Sequence, residues 1–125
     1  MLSPWTPESY LREITREGSV VLKAENREGS IMGFILGRAA RAGEAAIFNI
    51  GTAVAFRRMG VGSILLEEFR KQSVARGSLE IWLEVRSTNE TAINFYLARG
   101  FVRRGIRPNF YSNPTDNALI MSLTL

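Results

Sequence analysis

The chain has 125 residues, a net charge of +4 and neither cysteine nor histidine. This length fits one domain, and an apolar fraction of 46% is ordinary for a soluble globular protein. The missing residue types exclude disulfides, thiolate nucleophiles, a Ser-His-Asp triad and the usual zinc sites. Acid–base chemistry near neutral pH therefore falls to carboxylates, tyrosine, lysine or the substrate itself.

The basic excess is almost entirely arginine, which supplies 14 of the 16 basic side chains. Arginine suits a ligand with several phosphates, because its donor fork matches phosphate oxygens. The same excess would also suit weak contact with nucleic acid, or would be a solvated basic surface. No apolar run approaches the roughly 18 residues that a membrane span needs, and no signal peptide opens the chain. We therefore expect a cytoplasmic protein.

The first predicted element is a short helix at residues 7–16, because Pro7 is favoured at a first helical position. Apolar and β-branched residues then predict three successive strands, at residues 20–25, 30–39 and 45–53. A turn at 26–29 would join the first two.

The second half of the chain begins with helical spacing of apolar residues over 60–76, which Gly77 is placed to end. Residues 79–85 predict a central strand, since large side chains occupy both of its faces. Asn89 or Ser87 could cap a helix over 90–99, and a C-terminal hairpin follows. This order predicts an α+β fold with one parallel crossover.

The sequence FRRMGVGS lies where an apolar strand gives way to a helix. Gly60 and Gly62 lack side chains, so a ligand can approach the backbone closely. A pyrophosphate at the helix start would meet several unpaired amides, with Arg57 and Arg58 beside it. A GxG alone is weak evidence for a phosphate site, since glycines before a helix often only permit a tight turn. The spacing matches neither a Walker A motif nor a dinucleotide-binding fingerprint.

The run RRMGVG resembles the Q/R-x-x-G-x-G/A coenzyme-A signature of the GNAT acetyltransferases. The segments AAIFNIGTAV and IWLEVRSTNETAINFYLARGF and the C-terminal hairpin are also similar to that family, above all to its ribosomal-protein-alanine (RimI-like) branch. The resemblance covers residues 5–123 and is most specific over 48–101. It implies a GNAT acyltransferase fold, with a central mixed β-sheet flanked by helices. It also implies direct transfer of acetyl from acetyl-coenzyme A to a protein N-terminus, such as that of a ribosomal protein, with no metal.

The resemblance assigns the coenzyme to one strand end, the turn that follows it, and Asn89. Its binding residues would be Ile50, Gly51, Thr52, Arg57, Arg58, Met59, Gly60, Val61, Gly62, Ser63 and Asn89. Two alternatives stay open: an ordinary central strand with a bulge at Gly51, and a simple helix-capping role for Asn89.

The same resemblance makes Glu84 the general base and Tyr96 the general acid. From the residues alone, Glu84 could instead pair with Arg86 or another arginine, and Tyr96 could be a core tyrosine. Phe110 and Tyr111 would line the acceptor groove, where relatives carry two tyrosines. Three large aromatic residues are predicted to be core: Trp5, Phe69 and Trp82.

The family normally begins with a strand and a helix before the segment that resembles SPWTPESYLREI. The chain is therefore expected to be a single GNAT domain, residues 1–125, short by about thirty residues at its N-terminus, an estimate from usual strand and helix lengths. The strand at 20–25 would then be an exposed edge through which the protein self-associates.

Rival functions remain. The acceptor could be a small amine or a lysine side chain, or the chain could be a catalytically idle acyl-coenzyme-A-binding module. Direct nucleic-acid binding is disfavoured, because no recognition helix or stacking platform is evident.

Overall fold

A six-stranded mixed sheet forms the centre of residues 17–40 and 42–125, which the computed structural model describes. The strands in chain order are β1 (Ser19–Glu25), β2 (Ile31–Arg38), β3 (Glu44–Thr52), β4 (Glu80–Arg86), β5 (Val102–Tyr111) and β6 (Asp116–Thr124). Across the sheet they lie in the order β1-β2-β3-β4-β6-β5. Strands β3 and β4 run parallel, and the other neighbours run antiparallel. The predicted α+β class and mixed sheet are confirmed.

Two α-helices connect the strands on either side of β4. Helix α1 (Val61–Ala75) follows β3 after a short 3-10 turn, and α2 (Glu90–Ala98) follows β4. Gly77 ends α1 in the left-handed region, at φ 87°, where its amide donates to the Val74 carbonyl. The predicted bounds of both helices and all strands hold to within one or two residues. The helix predicted at 7–16, and Trp5, lie outside the described residues.

Helix α1 packs on one face of the sheet, over β1 to β3. Phe69 is fully buried there, as predicted, and fits because Gly37 below it has no side chain: a Cβ at Gly37 would lie 2.5 Å from Phe69 Cε1. The core prediction for Trp82 is wrong. Strand alternation turns Trp82 away from its buried neighbours Ile81 and Leu83, so its ring lines a cleft on the opposite face.

The two central strands pair over only part of their lengths. Their register runs from Glu44 opposite Glu80 to Ile47 opposite Leu83, whereas β3 continues to Thr52 and β4 to Arg86. Beyond Ile47 the strands separate, and the side of β3 that faces β4 has no partner strand among the described residues. A gap therefore opens in the middle of the sheet.

A bulge in β3 lies where this separation begins. The pairing of β3 with β2 shifts between Leu36 and Gly37, so that Phe48 is the extra residue. The alternative of a bulge at Gly51 is wrong, since Gly51 pairs in register with Phe34. Glycine fits position 51 for another reason: a Cβ there would lie 2.8 Å from the Phe34 ring.

Candidate active site

The start of α1 presents unpaired backbone amides. Ile64 N donates to Gly60 O at 3.1 Å, and no described backbone carbonyl accepts from the three amides before it. Gly60 supplies no side-chain cap, and the first turn carries no acidic residue. Free amides at the positive end of the helix dipole form a site for an anion.

The turn before α1 has two residues in the left-handed region, Arg58 at φ 65° and Gly60 at φ 77°. A Cβ at Gly60 would meet nothing within 4 Å, so glycine serves the backbone conformation there rather than a tight contact. At Gly62 the reason is packing. A Cβ there would lie 3.3 Å from the Phe95 ring, so the missing side chain lets the start of α1 approach α2.

A cavity of about 870 Å³ lies between the end of β3, this turn and α2. The structure brings ten of the predicted coenzyme-binding residues to its wall: Ile50, Gly51, Thr52, Arg57, Arg58, Gly60, Val61, Gly62, Ser63 and Asn89. Met59 is not among the lining residues, and its side chain is 62% exposed. We call this cavity, with the free amides at its edge, the donor cavity.

Asn89 caps α2 at the edge of the donor cavity. Its Oδ1 accepts from the Ala92 amide at 3.2 Å, which confirms the helix-capping alternative. Asn89 also lines the donor cavity and the gap between β3 and β4.

Tyr96 lies where the donor cavity meets the sheet gap, since it lines both. It is buried, with Phe95 and Phe101 packed edge-on at ring centroid distances of 5.3 and 5.4 Å. Burial, with a smaller effect of Tyr111, raises the pKa of Tyr96 to about 12. The hydroxyl therefore keeps its proton at neutral pH, as a proton donor must.

Glu84 also lines the sheet gap, which has a volume of about 320 Å³. It also lines a cleft of about 330 Å³ on the face away from α1, which we call the acceptor cleft. Arg107 Nε lies 3.3 Å from Glu84 Oε2, yet no described group donates a well-aligned hydrogen bond to this buried oxygen. An acceptor oxygen without a donor is available to a proton from a ligand.

Tyr111 and Phe110 form one wall of the acceptor cleft, with their rings edge-on at 5.0 Å. The Arg107 guanidinium lies 4.9 Å from the Phe110 ring centroid. Burial, then the nearby charge of Glu84, raises the pKa of Tyr111 to about 12. This wall of the cleft is thus aromatic, with the guanidinium of Arg107 beside it, while Glu44 and Glu84 lie elsewhere in the lining.

The arginine that pairs with Glu84 is Arg107 and not Arg86. Arg86 is buried, donates to the Pro114 and Ser112 carbonyls at 2.8 and 3.0 Å, and lies 4.6 Å from the Tyr111 ring centroid. It therefore holds the β5–β6 turn against the end of β4. The open alternative of an ion pair with another arginine is confirmed, and Glu84 still faces two cavities.

Three residues of the site were not predicted from the sequence: Phe95, Arg99 and Arg107. Arg99 follows the last residue of α2 and lies four residues after Phe95, a spacing that places both side chains on the side of the helix facing the donor cavity. This helical spacing is the sequence feature from which the two residues could have been predicted. Arg107 had none, since its approach to Glu84 depends on how β5 and β6 are paired.

Two further observations concern the described residues. No group of three or more Asp and Glu side chains is placed to hold a metal ion within 17–40 and 42–125. Neither helix of this part of the chain has the length and apolar character to cross a bilayer.

The profile of the acetyltransferase (GNAT) family matches residues 2–101. The chain therefore belongs to the GNAT acetyltransferase family, and its sheet with two helices has the GNAT fold.

The similar proteins include alanine N-acetyltransferases of a ribosomal protein. The [ribosomal protein bS18]-alanine N-acetyltransferase of Salmonella typhimurium is 39% identical over 84 residues, which are 66% of this chain and 57% of that protein. The crystal structure of the ribosomal-protein-S18-alanine N-acetyltransferase from Escherichia coli has a TM-score of 0.85 at 30% identity, over 97% of this chain and 77% of that one. Naa20 of Chaetomium thermophilum, in complex with a bisubstrate analogue, has a TM-score of 0.85 at 25% identity, over 98% and 75%. The match to the Salmonella protein thus spans little more than half of its length.

Proposed function

We propose that this chain transfers the acetyl group of acetyl-coenzyme A to the N-terminal α-amino group of a protein, in the cytoplasm. The observation that carries the proposal is the position of Glu84. Its unsatisfied carboxylate oxygen lies where the sheet gap opens into the acceptor cleft, while Tyr96 lines the same gap from the donor side. That both side chains line one gap supports their assignment as base and acid.

The donor cavity fits a coenzyme-A ester. The free amides of Val61, Gly62 and Ser63 would hold the pyrophosphate, with Arg57 and Arg58 adding charge. The unpaired side of β3, at residues 50–52, would bond to the amides of the pantetheine arm in place of a missing strand. Acetyl-coenzyme A, when bound, supplies an acetyl group on a thioester, which an amine can attack without a metal.

Glu84 would act on the acceptor. An α-amino group has a pKa of about 7.7–8, so at neutral pH much of it carries a proton that must leave before the nitrogen attacks. Oε2 of Glu84, which no described group satisfies with a well-aligned hydrogen bond, would accept that proton, directly or through one water. As the new C–N bond forms and the C–S bond breaks, the nitrogen would lose its second proton to solvent, and the Tyr96 hydroxyl would donate its proton to the departing sulfur and regain one from solvent.

The acceptor cleft supports a peptide acceptor. Phe48, Trp82, Phe110 and Tyr111 give it an aromatic lining, which suits side chains on either side of an extended backbone. The named bS18-alanine N-acetyltransferases act on a ribosomal protein, and we propose a ribosomal-protein N-terminus as the acceptor class here as well.

Coenzyme-A release with a matched panel of acceptors tests the proposal. The panel consists of a peptide with a free N-terminal alanine, the same peptide with a blocked N-terminus and an internal lysine, and a small polyamine. We expect turnover with the first alone. Turnover with the second or third would replace the proposed acceptor, and acetyl-coenzyme-A binding without any turnover would identify an idle binding module.

A further inference from the structure

Arg99 follows the last residue of α2 and lies beside the donor cavity, yet the proposed reaction gives it no role. Its guanidinium is held on three sides. Nη1 donates to the Phe95 carbonyl at 2.9 Å, Nη2 donates to Ser63 Oγ, and the group stacks over the Phe95 ring at 3.8 Å from the centroid. A long exposed side chain fixed in this way has lost much of its rotamer freedom before any ligand binds.

The charge of Arg99 is not neutralised by the described residues, since no carboxylate among them pairs with it. Arg70 on α1, which lines a cavity together with Arg99, differs because its charge is neutralised. It is paired with Glu67 through two hydrogen bonds, at 2.7 and 3.0 Å. A preorganised, uncompensated guanidinium on an aromatic ring is a binding group for a phosphate, because its remaining donors match phosphate oxygens.

The position of Arg99 indicates which phosphate. Arg57 and Arg58 line the donor cavity, and Arg99 and Ser63 line both this cavity and a second one of about 480 Å³ between α1 and the end of α2. Arg99 thus lies on the outward side of the amides, away from the sheet gap. A ligand that continues past the pyrophosphate in this direction passes Arg99 next.

We propose that Arg99 binds the 3′-phosphate on the ribose of coenzyme A and makes the donor site selective for coenzyme A over its 3′-dephospho form. The inference rests on the proposed use of acetyl-coenzyme A. Of the two phosphate groups of coenzyme A, the pyrophosphate already has the free amides, so the separate monoester is the one left for Arg99. Ser63 and Phe95 are positioning residues that hold the guanidinium toward it.

Calorimetric titration with coenzyme A and with 3′-dephospho-coenzyme A tests this without any turnover. We expect the unaltered protein to bind coenzyme A about tenfold more tightly, the size of one charge-assisted hydrogen-bonded pair. Arg99→Gln should bind both ligands with the affinity that the unaltered protein shows for the dephospho form. Arg99→Lys should keep part of the preference, because it keeps the charge and loses the fork. Arg76→Gln is the matched control, since Arg76 also follows the last residue of a helix and donates to a backbone carbonyl, at the far end of α1.

Each other outcome counts against the inference. If Arg99→Gln lowered the affinity for both ligands equally, Arg99 would be assigned to the pyrophosphate instead. If the preference for coenzyme A were unchanged, Arg99 would have no part in binding it. Failure of the unaltered protein to bind either ligand would overturn the donor site itself, and this inference with it. Circular dichroism of each variant establishes that a lost preference is not lost folding.

Discussion

Arg107 on β5 reaches across the acceptor cleft to Glu84 on β4, with Nε 3.3 Å from Oε2. The side chain of Arg107 is 54% exposed, so it can move aside. In the proposed reaction an acceptor amine would approach the same oxygen, so Arg107 would have to be displaced from Glu84 first.

Glu84→Gln tests the base. We expect turnover to fall by about 10²–10⁴ with coenzyme-A affinity retained, because a positioned base contributes on that scale. The defect should shrink toward pH 9, where more of the acceptor amine is already neutral. Glu80→Gln, on the same strand and face but outside both cavities, is the control for a lost carboxylate. Equal rates for Glu84→Gln and the unaltered enzyme across this range would leave Glu84 an ion-pair residue.

Tyr96→Phe tests the acid. The variant keeps the ring packing against Phe95 and Phe101 and loses only the hydroxyl proton, so we expect turnover to fall by about 10²-fold at unchanged coenzyme-A affinity. Because the pKa of Tyr96 is about 12, its ionisation should cause no loss of rate between pH 7 and 10. If Tyr96→Phe transferred acetyl in the pre-steady state as fast as the unaltered enzyme, Tyr96 would have only a packing role.

The same raised pKa values predict how stability depends on alkaline pH. Folding raises the pKa of Tyr96 and of Tyr111 from 10.0 to about 12, so the folded state holds these protons more tightly than the unfolded chain. Their contribution is present in full below pH 10 and is lost as pH rises toward 12. The melting temperature should therefore fall between pH 9.5 and 11.5, and by less in Tyr96→Phe. If the melting temperature of Tyr96→Phe fell by as much as that of the unaltered protein, other groups would be the cause of the fall.

Gly60→Glu should abolish coenzyme-A binding, because it places a negative charge where the pyrophosphate would lie. Gly29→Glu is a close control. Both glycines are exposed, have φ near +80° and have nothing within 4 Å of an added Cβ. The two substitutions therefore strain the backbone similarly, but Gly29 does not line the donor cavity. Titration with coenzyme A compares the two, and equal affinity in both would contradict the assignment of the free amides.

Strand β1 is an edge of the described sheet, and we predict self-association through it. Val21 is 55% exposed on this strand, and Lys23 is its one basic residue. Val21→Lys should shift a dimer toward monomer in light scattering over a dilution series, because a charge on an edge opposes strand pairing. Ile64→Lys, at an equally exposed apolar position on α1, should not. A monomer at every concentration before any substitution would refute the prediction.

Local patterns were sufficient to predict the elements of the fold. Glycine at 77, asparagine at 89 and the apolar spacing of α1 act within a few residues of where they stand, so sequence could locate them. The α1 amides follow from the same local information, because a helix start always leaves them unpaired.

Relationships between distant residues could not be predicted in this way. The bulge at Phe48 depends on the register that β2 imposes on β3, and no property of Phe48 itself signals it. The Trp82 error has a similar cause, since a large aromatic residue on a central strand faces either the core or a cleft according to its alternation with its neighbours. The contact of Arg107 with Glu84 spans two strand pairings.

The limited pairing of β3 with β4 divides the described sheet into two parts. One part, β1 to β3 with α1, contains the free amides; the other, β4 to β6 with α2, contains Glu84 and Tyr96. Both the donor cavity and the acceptor cleft are lined by residues of both parts. The two parts are joined by four residue pairs of the sheet, by the hydrogen bond from Arg99 to Ser63 Oγ and by a shared hydrophobic core. Because each cavity is lined from both parts, a substitution in this shared core could change the distance between donor and acceptor without touching either ligand.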